Sequence, residues 1–169
     1  RIQVTFKFFI YTFIGSLFML IGILYVYAHT ENRSFDIASF YKVVLSAKQQ
    51  TLVFWLMFVA FAIKMPIFPL HTWQPDTYEQ APTATTMVLS GVMVKMGVFG
   101  MVRWLFPVVT GASFQWGDFI TLLSVIGMIY ASLIALRQDD LKRLVAYSSI
   151  AHIGLLCAGM FTQNAFGKS

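Results

Sequence analysis

The sequence predicts an all-α, polytopic transmembrane helical bundle, and three observations carry this prediction. Of the 169 residues, 58% are hydrophobic and only 11% are charged, which excludes an ordinary soluble domain. The apolar residues fall into five segments of membrane-spanning length, at 8–28, 52–70, 82–109, 119–136 and 144–161. Two prolines lie within the second segment, so we expect about five transmembrane helices, one of them broken.

Charge and cysteine usage exclude several other classes of protein. The net charge of +5 comes from basic residues spread over several loops, so we expect no nucleic-acid partner, and the expected surroundings are a lipid bilayer. Cys157 is the single cysteine, so neither a disulfide framework nor a metal site is expected. The chain begins with Arg1 and has no leader pattern. Residues 1–169 are therefore predicted to be a single membrane domain, a fragment of a longer protein.

Small and polar residues refine the segments. Gly15, Ser16 and Gly22 in the first segment permit close packing between helices. In the connection 30–51, the apolar residues follow helical spacing and predict an amphipathic helix on the membrane surface. These residues are Ile37, Phe40, Tyr41, Val44 and Leu45. Asp118 precedes the fourth segment and is expected to act as its N-cap.

The second segment contains the first candidate site residue, Lys64, which is followed by Pro66 and Pro69. Lys64 would lie about 18 Å along a helix that starts at Leu52, near the middle of a membrane core roughly 30 Å thick. A lysine at that depth costs about 2.5–3.5 kcal/mol, which favours a functional role. Each proline removes a backbone donor, so we expect a helix break that leaves the carbonyls of Ala62 and Met65 without partners. The alternative is a simple kink, with Lys64 extending to the interface.

Two further ionisable residues are predicted at similar depth on other helices. Lys95 lies centrally in the third segment among glycines, and His152 lies centrally in the fifth, one turn after Ser148. With Lys64 they form a candidate proton path parallel to the membrane plane, with Ser148 as a secondary polar candidate. All the acidic residues lie outside the apolar segments or at their ends, so no carboxylate of this chain is expected to pair with the lysines. The alternative for His152 is a packing role.

Secondary polar candidates follow the break. His71, Asp76 and Glu79 lie in a polar stretch between the second and third segments. The two acids either gather protons at the mouth of a pore or hydrogen-bond the backbone of a turn, and both interpretations stay open.

Several of these motifs resemble a known family. Residues 61–107 and 140–155 are similar to the antiporter-like M-type subunits of respiratory complex I, the NADH:quinone oxidoreductase, which include mitochondrial chain 4. The resemblance depends on the break Lys64-Met65-Pro66, on HxWxPD at 71–76 and on APT at 81–83, which are specific in combination. It extends over essentially the whole chain.

The resemblance implies a function and a position within the subunit. The chain would supply about five of about fourteen helices, with Lys64 as the lysine of the broken seventh helix and Lys95 as that of the eighth. The family's partner glutamate and its terminal lysine or glutamate lie outside this chain. The implied function is proton translocation, as part of an enzyme that reduces quinone elsewhere in the complex.

The resemblance also implies which cofactors, partner subunits and membrane to expect. No flavin, iron–sulfur cluster, quinone or other cofactor would bind in this chain, and the partners would be the other membrane subunits of complex I. The location would be a bacterial plasma membrane or a mitochondrial inner membrane. The nearest alternative is a subunit of a multisubunit cation/proton antiporter or a membrane-bound hydrogenase. A structural scaffold whose lysines bind anionic lipid is a further alternative.

Overall fold

The computed structural model describes residues 2–31 and 33–166, and side chains as far as Thr162. Over these residues the chain forms helices and no strand. The longer helices are α1 (Ile2–His29), α3 (Ala47–Lys64), α5 (Thr83–Val108), α6 (Thr110–Ala135) and α7 (Leu141–Phe166). Two short helices, α2 (Ile37–Tyr41) and α4 (Trp73–Gln80), lie in the connections. The predicted all-α bundle is confirmed.

Four helices are long and apolar enough to cross a membrane in the described part of the chain. They are α1, α5, α6 and the Leu141–Thr162 part of α7. The second predicted segment, 52–70, corresponds to α3, which has 18 residues and ends at Lys64. Because Pro66 has no amide hydrogen, the helix cannot continue as a regular α-helix. The predicted break is therefore confirmed, and the segment is divided into α3, an irregular connection and α4.

Helix α3 forms the centre of the bundle. It contacts α1, α5 and α6, and its buried side chains include Phe54, Met57, Phe58 and Phe61. Glycines allow α1 to approach closely at two places, because a Cβ at Gly15 or Gly22 would lie 3.2 or 3.3 Å from the side chain of Ile63 or Met57. By contrast, the outer surface of α1 consists of large exposed apolar side chains. Such a surface suits lipid or another membrane protein rather than water.

Helices α6 and α7 pack against each other as antiparallel neighbours joined by the short charged turn at 136–140. Helix α5 contains two π-helical turns, Leu89–Met93 and Met101–Leu105. Its face toward α3 carries Gly97 and Gly100, where added Cβ atoms would overlap the side chains of Met65 and Phe61. The glycines therefore set the distance between α5 and the broken helix.

Two local predictions are wrong. The predicted surface helix included Val44 and Leu45, but the helix has only the five residues Ile37–Tyr41. Phe40 packs inward against Trp104, whereas Val44 lies beyond the helix and is 94% exposed. Asp118 is not an N-cap, since α6 begins eight residues earlier at Thr110. Packing supplies the reason, because the small residues Ala112, Ser113 and Gly117 are buried, and tertiary contacts keep this less apolar stretch helical.

Candidate functional site

The broken helix determines the geometry around Lys64. The last regular hydrogen bond of α3 runs from the Met65 amide to the Phe61 carbonyl at 2.8 Å. The amide of Ile67 then donates to the Ala62 carbonyl at 3.0 Å. The prediction that Pro66 leaves the Ala62 carbonyl without a partner is therefore wrong. Its amide partner is simply one residue later than in a regular helix.

A side chain completes the hydrogen bonding at the break. Trp73, the first residue of α4, donates its indole Nε1–H to the carbonyl of Ile63 at 2.9 Å. Both residues are buried. Two successive carbonyls next to Lys64 therefore accept hydrogen bonds from donors outside the regular helical pattern. Non-helical backbone inside a membrane protein requires such partners.

Lys64 is half-buried at the end of α3 and lines a cavity of about 280 Å³. The cavity also touches Met19, Ile23, Met57, Phe61, Met96, Phe99, Gly100 and Trp104. In the described part of the chain, no carboxylate lies within ion-pair distance of Lys64. Its neighbour Ile63 packs on Gly15, near the middle of the 28-residue helix α1. The surroundings of this cation are thus apolar and remote from both ends of α1.

Lys95 and His152 lie near the middle of α5 and α7, but the structure does not join them to Lys64. Lys95 is exposed on the surface of this chain, away from the glycine face that packs on α3. His152 is also exposed, and its Nδ1 lies 2.7 Å from the backbone carbonyl of Ser148, whose hydroxyl is not involved. A proton could therefore pass between these three residues only through groups that lie outside this chain.

The acidic candidates lie in a cluster of ion pairs at one end of the bundle. Lys7 Nζ lies 2.8 Å from Asp76 Oδ2, and Arg143 Nη1 lies 2.9 Å from Glu79 Oε2. Arg143 Nη2 also lies 3.9 Å from Asp76 Oδ1. We call these four residues the ion cluster. One of the two interpretations required each carboxylate to hydrogen-bond the backbone of a turn. Neither Asp76 nor Glu79 does so, and each is instead paired with a cation from α1 or α7.

His71 lies in the connection between α3 and α4, outside the four candidate spans. It is buried, with ring centroids 5.6 Å from Phe68 and 5.5 Å from Tyr130. Burial and, to a smaller extent, the charge of Lys7 lower the pKa of His71 below its ordinary value of 6.5. At neutral pH this histidine is therefore uncharged.

Several residues of the site were not identified from sequence. Trp73 belongs to the HxWxPD motif, so its presence was visible but its bond to Ile63 was not. Gln74 is completely buried one turn after His71, although no pattern around it indicates that this polar side chain lies inside. Lys7 and Arg143 join Asp76 across 69 and 67 residues respectively, a separation at which local spacing carries no information.

Comparison with known proteins places this geometry in a family. The family described as NADH:quinone oxidoreductase/Mrp antiporter, TM, matches residues 1–169. The chain is 42% identical over 171 residues to NADH-quinone oxidoreductase subunit M of Rickettsia prowazekii, covering 100% of this chain and 34% of that protein. It is 38% identical over 167 residues to NADH-ubiquinone oxidoreductase chain 4 of Marchantia polymorpha, covering 99% and 33%. The chain thus spans about a third of the length of these relatives.

Solved structures contain the same fold. Respiratory complex I from Thermus thermophilus with bound NADH matches with a TM-score of 0.89 at 29% identity, over 99% of this chain and 36% of the matched one. The membrane-bound sulfane sulfur reductase, an archaeal respiratory membrane complex, matches with a TM-score of 0.72 at 28% identity, over 92% and 32%. A full-length family match, relatives of this identity and the helical architecture agree. The chain is an integral membrane protein that belongs to the NADH:quinone oxidoreductase/Mrp antiporter transmembrane family.

Proposed function

We propose that this chain is part of a proton-translocating membrane subunit of an NADH:quinone oxidoreductase, and that Lys64 binds and releases the transported proton. The observation that carries the proposal is the position of Lys64. Lys64 is the last residue before the helix break, lines an apolar cavity and has no carboxylate partner among the described residues. A structural lysine would be expected at an interface or in an ion pair, as Lys7 is.

The physical chemistry of this position suits proton transfer. In an apolar cavity, an ammonium group interacts more strongly with an approaching negative charge than it would in water. A lysine without a fixed partner therefore responds strongly to a charge that arrives and leaves. The relatives are about three times as long as this chain, so a partner carboxylate can come from the remainder of the subunit.

Lys95 and His152 extend the proposal as the next carriers along the membrane. Each lies near the middle of a candidate span, and each is exposed on the surface of this chain, where the rest of the subunit and water can reach it. The three side chains are then separate proton carriers, which are connected through groups outside this chain. Ser148 then acts on His152 only through its backbone carbonyl.

Partners and cofactors follow from the same assignment. The exposed apolar faces of α1 and α6 are expected to contact lipid, the remaining helices of the subunit or neighbouring membrane subunits. We propose that NADH oxidation and quinone reduction take place elsewhere in the complex. In this chain the described residues contain no group of three His, Cys, Asp or Glu side chains arranged to hold a metal ion.

Substitution of Lys64 in the full-length subunit of the assembled enzyme tests this proposal. Lys64→Ala should assemble, keep electron transfer from NADH to an artificial acceptor and lose most NADH-driven proton translocation. Lys48→Ala is the matched control, because Lys48 lies in the first turn of the same helix and is exposed. Proton translocation by assembled Lys64→Ala enzyme at the wild-type ratio to electrons would overturn the role of Lys64.

A second candidate function is ion exchange in a cation/proton antiporter or a related respiratory membrane complex. The family description includes Mrp antiporters, and the sulfane sulfur reductase complex shares the fold. The two functions differ in their driving reaction. Proton translocation that requires NADH and quinone supports the first, whereas proton uptake driven by a sodium gradient alone supports the second.

A further inference from the structure

The backbone carbonyls at the break depart from the regular helical pattern of hydrogen bonds. In a regular α-helix each carbonyl accepts a hydrogen bond from the amide four residues later. The partner of Ala62 would be residue 66, which is a proline and has no amide hydrogen. The Ile67 amide, which would otherwise bond to Ile63, bonds to Ala62 instead. This shift leaves the Ile63 carbonyl without its regular partner.

The Trp73 indole occupies the position of the missing donor. Its Nε1–H lies 2.9 Å from the Ile63 carbonyl oxygen, across ten residues of sequence. Trp73 is 0% exposed and Ile63 is 4% exposed, so water does not compete freely for either group. A carbonyl buried without a partner is strongly unfavourable, so this single side-chain bond compensates for the displaced amide.

The indole itself is held in place by α1. The rings of Trp73 and Phe8 pack with centroids 5.3 Å apart. One turn later on α4, Asp76 binds Lys7, which also belongs to α1. Helix α1 therefore holds α4 at two points, and α4 in turn holds the end of α3 through the indole.

We propose that Trp73 is a positioning residue for Lys64, an inference that rests on the proposed function of that lysine. The bond fixes the carbonyl immediately before Lys64 and so fixes where α3 ends and where the Lys64 side chain enters its cavity. Without the indole N–H, the buried Ile63 carbonyl loses its donor, so the end of α3 is expected to shift and to move Lys64 with it.

The substitution Trp73→Phe in the full-length subunit of the assembled enzyme removes the donor and keeps an aromatic ring. The matched control is Trp116→Phe, because the Trp116 indole nitrogen is buried without a hydrogen-bond partner in the described chain. For Trp73→Phe we expect about five-fold slower NADH-driven proton translocation and an altered pH profile of translocation, with normal assembly. Trp116→Phe should match the wild type in rate and pH profile. Equal behaviour of the two variants would overturn the proposal.

A double variant keeps the test decisive if Trp73→Phe does not assemble. Pro66→Ala restores an amide for Ala62, which frees the Ile67 amide for the Ile63 carbonyl. Assembly of the double variant Trp73→Phe/Pro66→Ala would show that the lost donor was the defect. If the double variant also does not assemble, the volume of the indole and not its N–H is essential, and the proposal is overturned.

Lys64→Ala, measured in the same preparation, separates this inference from the proposed function. If Lys64→Ala translocates protons normally, the role of Lys64 fails and the role of Trp73 fails with it. If Lys64→Ala is inactive while assembled Trp73→Phe keeps the wild-type rate and pH profile, only the positioning role is overturned.

Discussion

Arg143 at the start of α7 and Glu79 in α4 form an ion pair with 2.9 Å between Nη1 and Oε2. The bond connects the short helix after the break to a helix more than sixty residues later in the chain. With Lys7 and Asp76 it forms the ion cluster, whose side chains are about one-third exposed. Partial exposure means that salt screens these pairs and that each contributes modestly to stability.

The ion cluster provides the first prediction. Asp76→Asn should lower stability more than Glu79→Gln, because Asp76 contacts both Lys7 and Arg143 while Glu79 contacts only Arg143. Each pair should be worth about 0.2–1 kcal/mol, and the difference between the variants should shrink at high salt. Thermal unfolding at low and high salt measures this. Asp139→Asn is the control, since Asp139 is exposed and has no ion pair in the described chain.

Replacement of Pro66 and Pro69 by alanine provides the second prediction. Proline in a helix interior costs about 3 kcal/mol, but the break already satisfies the Ala62 and Ile63 carbonyls through Ile67 and Trp73. The gain in stability should therefore be well below 3 kcal/mol, while proton translocation should fall because a straight helix alters the surroundings of Lys64. Thermal unfolding and the ratio of protons to electrons check the two parts. A large gain in stability with normal translocation would contradict both.

The glycine face of α5 provides the third prediction. Gly100→Ala should destabilise the protein and impair proton translocation, because its Cβ would overlap the Phe61 ring beside the Lys64 cavity. Gly91→Ala is the matched control, since nothing lies within 4 Å of its added Cβ. Alanine is the better helix former by about 0.5–1 kcal/mol, so the control should be neutral or stabilising. Equal effects of the two substitutions would show that contact with Phe61 is unimportant.

His71 provides the fourth prediction, which concerns pH. Its pKa is lowered in the folded state, so above pH 6.5 the ring is neutral whether the chain is folded or unfolded. As the pH falls below that value, the unfolded chain takes up the proton first, and stability is lost progressively. His71→Phe keeps a ring between Phe68 and Tyr130 but cannot titrate. Its thermal midpoint should therefore fall less than that of the wild type between about pH 7.5 and about pH 5.5.

Features of the fold that depend on local chemistry could be predicted from the sequence. Apolar composition predicted the four spans and the segment of α3, and the missing amide of Pro66 predicted the helix break that follows Lys64. The donor for Ile63 could not be predicted, because the indole of Trp73 reaches that carbonyl from a separate helix beyond an irregular connection. The ion cluster was missed for the same reason, as its partners lie on three helices. The start of α6 was missed because apolar periodicity does not register the small residues Ala112, Ser113 and Gly117, which are buried by packing.

The bond between Trp73 and Ile63 also constrains the length of the chain between them. Helix α4 must present Trp73 to the carbonyl of Ile63 and, three residues later, Asp76 to Lys7. One residue inserted before Trp73 would rotate α4 by about 100° if its start stayed fixed, which would misplace both side chains together. The number of residues in the connection from Met65 to Thr72 is therefore constrained at both of its ends.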